Sequence, residues 1–206
     1  MNTLLQLNTS IFSADGESSR LADEYVAGWR ARNPGGQVIV RDFAHEPVPH
    51  LTAERFQSFG VRPEHRSAEQ QTAAAYSDAL IEELRRADEI VLGLPMYNFG
   101  VPSMLKAYFD HVARAGVTFR YTKNGPQGLL TGKKVVVFAA RGGLYAGTPR
   151  DTQTTYVRDF LGLLGIDDVQ FVYAEGLAID DASKRTSLER AKTEIRYLHS
   201  PERKAA

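Results

Sequence analysis

Met96, Tyr97, Asn98 and Phe99 lie between Pro95 and Gly100, an apolar and aromatic set with a single amide at a place where a loop would ordinarily be polar. Flat or pliable side chains beside one polar handle suit a heteroaromatic ring with polar edges. A second stretch, Asn8 to Ser18, supplies Asn8, Thr9, Ser10, Ser13, Gly16 and Ser18 just ahead of a helical pattern. Hydroxyls and helix N-terminal N–H groups together can hold a phosphate without a lysine. Taken alone, these serines read first as turn and capping residues. A third stretch, Arg141-Gly142-Gly143, ends a β-branched run. Its paired glycines either let backbone N–H groups approach a ligand edge or make an ordinary flexible turn.

Other chemistries fall to composition and spacing. The chain has no cysteine, which removes disulfides, thiolate nucleophiles, iron–sulfur clusters and cysteine-ligated zinc. His45-Glu-Pro-Val-Pro-His50 has its histidines five apart and two prolines that forbid a shared helix face, so it reads as a loop and no metal site is expected. Gly128 to Lys134 lacks the spacing and the following Ser or Thr of a phosphate-binding P-loop, and it precedes a strand. Twenty-five basic and 25 acidic side chains cancel, which disfavours nucleic acid and anionic membrane surfaces as partners. Without a run of ~20 apolar residues or a secretory pattern at the N-terminus, a cytoplasmic protein is expected. Asp42 reads as a solvated charge, and His111 as part of a polar helix face.

The three stretches require strands that end side by side. Apolar runs predict strands over Thr3 to Leu7, Gln37 to Arg41, Ile90 to Leu94, Val135 to Ala139 and Val169 to Ala174. Helical spacing predicts Ser19 to Arg32, Thr52 to Gly60, a helix to Arg86 opened by the capping box Ser67-Ala-Glu-Gln70, Pro102 to Arg114, Thr154 to Leu164 and Asp180 to Leu198. Gly100 is expected to take a positive φ, and Pro102 to sit in the first turn of its helix. Around Asn124-Gly125, residues 117–130 predict an extended, hairpin-like excursion. Pro201 to Ala206 reads as a polar tail.

Strands alternating with helices predict an α/β, flavodoxin-like doubly wound sheet of five parallel strands in the order 2-1-3-4-5, with residues 1–206 as a single domain. In that order the ends of strands one, three and four are neighbours, and the three stretches follow those strands. Phosphate donors, an apolar aromatic wall and a glycine-lined polar edge match flavin mononucleotide (FMN) better than a dinucleotide, because no G-x-G-x-x-G follows the first strand.

Leu94 to Asp110 (L-P-M-Y-N-F-G-V-P-S-M-L-K-A-Y-F-D), Arg114 to Leu129 (R-A-G-V-T-F-R-Y-T-K-N-G-P-Q-G-L) and R-G-G at 141–143 closely resemble the bacterial FMN-dependent NADH azoreductases, which are also NAD(P)H:quinone oxidoreductases. The resemblance covers nearly the whole chain. It implies a homodimer with one FMN per subunit and a site at the dimer interface. By position it assigns Ser10, Gly16, Glu17 and Ser18 to the ribityl phosphate and Met96, Tyr97, Asn98 and Phe99 to the isoalloxazine. Ala140, Arg141, Gly142 and Gly143 fall at the pyrimidine end. Gly16 stands where several relatives have serine, and Ala140 where a hydroxyl residue is common.

Two electrons would pass from NADH or NADPH through flavin N5 to quinones and to aromatic azo compounds, so no side chain need be a catalytic acid or base. Phe59, Phe119, Tyr121 and Phe160 are candidates for an aromatic acceptor box, against the plainer reading of each as core or dimer contact. A flavodoxin-type electron carrier and a regulatory flavin-binding module stand as alternatives. The neutral charge, the length and the aromatic excursion favour the enzyme over the carrier.

Overall fold

The computed structural model describes residues 2–200, so the expected tail Pro201 to Ala206 lies outside the described residues. The expected strands form β1 (Thr3–Asn8), β2 (Gln37–Asp42), β3 (Glu89–Pro95), β6 (Lys134–Ala140) and β7 (Asp168–Ala174), and a two-stranded antiparallel hairpin, β4 (Phe119–Thr122) and β5 (Gly125–Gly128), lies between β3 and β6 in the chain. The larger sheet runs β2-β1-β3-β6-β7, all parallel, which is the predicted order once the hairpin strands are set aside.

Why these runs are strands is visible in where alternate side chains go. Leu92, Val135, Val137 and Phe171 join one core cluster, while Val91, Val136, Phe138 and Val172 join the other. A strand covered on both faces has no polar positions to alternate with, hence the continuous apolar runs. Helices α1 (Glu17–Arg32) and α6 (Asp181–His199) pack on one face through Leu21, Tyr25, Trp29, Ile195 and Leu198. Helices α3 (Ala68–Arg86), α4 (Ser103–Val112) and α5 (Thr152–Leu164) cover the other, and the short α2 (Ala53–Gly60) lies against α3. The Ser67–Gln70 capping box forms in both directions, as its spacing predicts.

Several boundaries differ from expectation for identifiable reasons. Helix α1 begins at Glu17, two residues early, so Ser18 is in its first turn rather than in the loop. Pro102 is the N-cap of α4 and not its first residue, and α5 starts at Thr152 because Asp151 caps Thr154 N–H. The hairpin is anchored where two glycines meet: a Cβ on Gly128 would lie 2.0 Å from the Gly165 nitrogen, at the end of α5. No side chain could occupy that crossing without moving backbone.

His111 is wholly buried, not on a polar face. Its Nε2 bonds the Pro49 carbonyl at 3.0 Å and its ring sits edge-on to Phe59 and Tyr76, which ties α4 to the connection after β2. Burial lowers its pKa, against the opposing pull of the Pro49 bond.

His199, at the end of α6, packs on the Tyr25 ring with centroids 4.3 Å apart and bonds the Tyr25 carbonyl at 2.9 Å. Burial, reinforced by Arg32, lowers its pKa from 6.5 to about 4. Between those values the unfolded chain binds a proton that the folded chain does not, so stability falls as pH drops through that window. After allowance for solvent screening the expected loss is about 1 kcal/mol. Urea midpoints taken across the window should show it, and His199→Gln should flatten that part of the slope.

Candidate active site

At the carboxyl ends of β1, β3 and β6 the three stretches come together. The chain reverses after β3 in a two-residue turn, with Tyr97 N–H donating to the Gly100 carbonyl at 3.2 Å and Gly100 N–H to the Tyr97 carbonyl at 2.9 Å. Its central residues, Asn98 (φ 50°) and Phe99 (φ 62°), both occupy the left-handed region. Gly100, expected to supply the positive φ, does not. Two non-glycine residues in that region are a local strain that the surrounding structure must hold in place. The turn turns Asn98 and Phe99 outward and leaves Met96 and Tyr97 half-buried.

Tyr97 reaches the loop after β1: its hydroxyl lies 3.4 Å from Ser10 Oγ and accepts from Ile11 N–H at 3.3 Å. Ser10 Oγ also accepts from Phe12 N–H at 3.1 Å. Ser13 takes φ 51° and is held by Asp42, whose carboxylate also receives Ala44 N–H and contacts His45 Nδ1 at 3.0 Å. Asp42 is therefore a fastener for this loop rather than a solvated charge. Burial pushes its pKa up, and the bonds from Ser13 and His45 more than offset this, so it stays below its usual value. With its oxygens engaged by its own chain, it is poorly placed to bind a ribose.

Helix α1 opens from this loop without a side-chain cap, as α4 does behind Pro102, whereas α2, α3, α5 and α6 are capped by Thr52, Ser67, Asp151 and Asp180. Its first-turn N–H groups have no intrahelical partner by construction. Ser18 Oγ is buried there with no hydrogen-bond partner among the described residues. Glu17, in the same turn, turns its charge to Lys184 at 2.7 Å. A Cβ on Gly16 would lie 2.2 Å from Ser10 Oγ, so any side chain at 16 obliges Ser10 to move. Orphaned donors at an uncapped helix start fit a phosphate, and the phosphate end of the expected flavin is met by the residues present.

The glycine stretch is built from the opposite side. Met96 N–H donates to the Ala140 carbonyl at 3.0 Å, which joins the two strand ends. The carbonyls of Arg141, Gly142 and Gly143 accept from Leu177, Ala178 and Gly176, while the N–H groups of Gly142 and Gly143 have no protein partner among the described residues. Gly143 is needed for close approach, since a Cβ there would be 2.6 Å from the Tyr145 hydroxyl. Arg141 itself points inward. Its guanidinium is fully buried, paired with Asp151 at 2.8 Å and Glu175 at 3.1 Å, and stacked over Tyr173. Its backbone N–H donates to the Ala174 carbonyl at 2.8 Å and its carbonyl accepts from Leu177 N–H, so neither end of the residue is left for a ligand.

The four aromatic candidates are not gathered at this crevice within one chain. Phe160 stacks on Phe109 at 3.8 Å, and Phe119 is buried in the core beneath the hairpin. Phe59 lies on α2 with the Arg114 guanidinium 4.5 Å above its ring. Tyr121 stands out from the hairpin, 77% exposed. A cleft of about 460 Å³ opens beside the turn, walled by His50, Phe99, Val101, Lys106 and Tyr156. Gln153, Glu175 and Thr152 also build the site, though the sequence does not single them out: Thr152 bonds the Phe99 carbonyl, and Glu175 accepts from Tyr145 and Ala146 N–H at 2.9 Å each. Polar residues in a helix start and after a strand carry no periodic signal.

A sequence family described as flavodoxin-like fold matches residues 2–198. Over 195 residues the chain is 55% identical to an FMN-dependent NADH:quinone oxidoreductase of Cellvibrio japonicus, covering 95% of this chain and 97% of the relative. It is 51% identical to a protein of the same description from Alcanivorax borkumensis, over 93% and 97% of the two chains. The crystal structure of an azoreductase from Bacillus anthracis superposes with a TM-score of 0.88 at 25% identity, covering 97% of this chain and 99% of that one.

Proposed function

The chain belongs to the family of flavodoxin-like fold and, within it, to the FMN-dependent NADH:quinone oxidoreductases, and from that premise we propose that it carries two electrons from NADH or NADPH to quinones and to aromatic azo compounds. When bound, FMN would supply the two-electron chemistry that links a reduced nicotinamide to an acceptor. Donor and acceptor would bind in turn, a ping-pong scheme. A quinone leaves as hydroquinone after one round; an azo compound needs two, through a hydrazine, to give two amines.

The chain's own residues position and polarise. Ser10, Gly16, Glu17 and Ser18 hold the ribityl phosphate through Ser18 Oγ and the first-turn N–H groups of α1. Met96 to Phe99 line the ring. Ala140 to Gly143 face its pyrimidine edge, where the N–H groups of Gly142 and Gly143 oppose the negative charge that reduction brings, as fixed dipoles in an oxyanion hole do. Residues 1–206 act as one domain and pair as a cytoplasmic homodimer with the site at its interface. In that assembly Tyr121, exposed on its hairpin and edge-on to Phe119, is the member of the set Phe59, Phe119, Tyr121 and Phe160 best able to reach a partner subunit's crevice.

The observation that carries the reading is the uncapped start of α1, with its orphaned serine hydroxyl, beside a strained aromatic turn and two glycines with free N–H groups. The test is anaerobic mixing of FMN-loaded protein with NADH, then with a quinone. Bleaching of the flavin by NADH and its return on addition of quinone are expected. Flavin that stays oxidised with both NADH and NADPH, or reduced flavin indifferent to quinone, overturns the reading.

A further inference from the structure

Gln153, in the first turn of α5, is 1% exposed and uses both ends of its amide across the two loops. Its Nε2 donates to the Pro95 carbonyl at 2.9 Å and to the Gly100 carbonyl at 3.0 Å, the two feet of the Met96–Phe99 turn. Its Oε1 accepts from Arg141 Nε at 3.2 Å. Arg141 continues the chain of contacts through Glu175, which in turn holds the Tyr145 and Ala146 N–H groups beyond the glycines. Tyr145 then meets the Phe99 ring edge-on at 5.5 Å. One buried amide thus ties both feet of the aromatic turn to the arginine of the glycine loop, beside the Met96–Ala140 backbone bond and the Phe99–Tyr145 ring contact.

We propose that Gln153 is a positioning residue for the flavin: it sets the spacing between the aromatic turn and the Gly142-Gly143 N–H groups, and through that spacing the preference of the site for reduced over oxidised FMN. The inference rests on the flavin reading above. Its physical basis is that two residues held at positive φ relax unless their surroundings over-determine them. Hydrogen bonds aimed at developing charge lose their effect when their donors shift by fractions of an ångström. Gln153 touches the feet of the turn and not its ligand-facing tips, so it acts through the loops.

The experiment compares wild type, Gln153→Met, Gln153→Glu and, as a destabilised control on the same helix, Leu161→Ala. Each is titrated with FMN by flavin fluorescence, its bound flavin is equilibrated with redox dyes, and its thermal unfolding is recorded. Gln153→Met removes both donors and the acceptor. Gln153→Glu keeps an acceptor for Arg141 but turns an oxygen toward the two carbonyls, so it remains a folded test if the methionine variant does not fold. Both are expected to bind FMN at least about tenfold more weakly and to lose about tenfold in reduced-to-oxidised preference, close to 30 mV for a two-electron couple. Leu161→Ala is expected to melt earlier and shift neither quantity. Wild-type affinity and potential in the folded Gln153 variants, or equal shifts in Leu161→Ala, overturn the proposal. Refusal of FMN by wild type overturns the flavin reading beneath it.

Discussion

Arg141→Met should lower the stability of the protein by about 3–5 kcal/mol, the cost of leaving buried charge without its partner. The guanidinium is wholly enclosed, and it faces two carboxylates, Asp151 and Glu175, that are each only 8% exposed. Asp151 shows what the arginine does for them. Burial raises its pKa, and the bond from Arg141, with those of Thr154, brings it below its ordinary value of 3.8. In wild type that contribution is present above the ordinary value and disappears as pH falls below it. With methionine at 141 Asp151 loses the bond that offsets its burial and takes up a proton more readily, so the deficit against wild type should shrink as pH is lowered toward 5. Urea unfolding followed by circular dichroism at several pH values measures this. A deficit under 1 kcal/mol at neutral pH, or one that grows on acidification, would show that the cluster is not organised around the arginine. Arg141→Lys should recover only part of the loss, because an ammonium cannot reach Gln153, Asp151 and Glu175 together as the planar fork does.

The same residue marks where sequence reading stops. Val135 to Ala139 is legible as a buried strand because the apolar run is short, rich in valine and bounded by glycine-containing loops, and R-G-G is legible as its terminal loop. Which way the arginine points is not legible, since its partners lie 10 and 34 residues away, on α5 and after β7. A loop residue beside a ligand edge reads as a contact until the fold brings carboxylates behind it. The turn that holds Asn98 and Phe99 after β3 is legible, but the nearby Gly100 is the natural bearer of positive φ, and only the closed Tyr97–Gly100 bridge moves the strain onto them. His111 reads as polar from its residue type alone; Phe59 on α2, Tyr76 on α3 and the Pro49 carbonyl, remote in sequence, enclose it. Periodicity reports which face of an element is covered, and it is silent on which distant polar group receives a buried side chain. That is why the architecture and the three loops were open to reading while Gln153 was not.

Ser18→Asp should abolish FMN binding while leaving the fold intact, a separation that a core substitution cannot give. The serine hydroxyl is buried without a partner in the first turn of an uncapped helix. A carboxylate there gains from the helix dipole and from the unpaired N–H groups, so the apoprotein should melt no more than a few degrees from wild type. Those are the donors a phosphate would need, and the new charge opposes the phosphate charge at close range. Two unit charges about 4 Å apart at an effective dielectric near 20 repel by about 4 kcal/mol, close to a thousandfold in affinity. Ser18→Ala removes only one hydroxyl and should cost about 1 kcal/mol, several-fold in affinity. Titration with FMN and, in parallel, with riboflavin distinguishes the cause: riboflavin lacks the phosphate, so its weaker binding should be nearly indifferent to the aspartate. A variant that keeps wild-type FMN affinity would move the phosphate away from α1 altogether. A variant that loses FMN and riboflavin equally would place the damage in the ring site, and Ser18 would no longer belong to the phosphate.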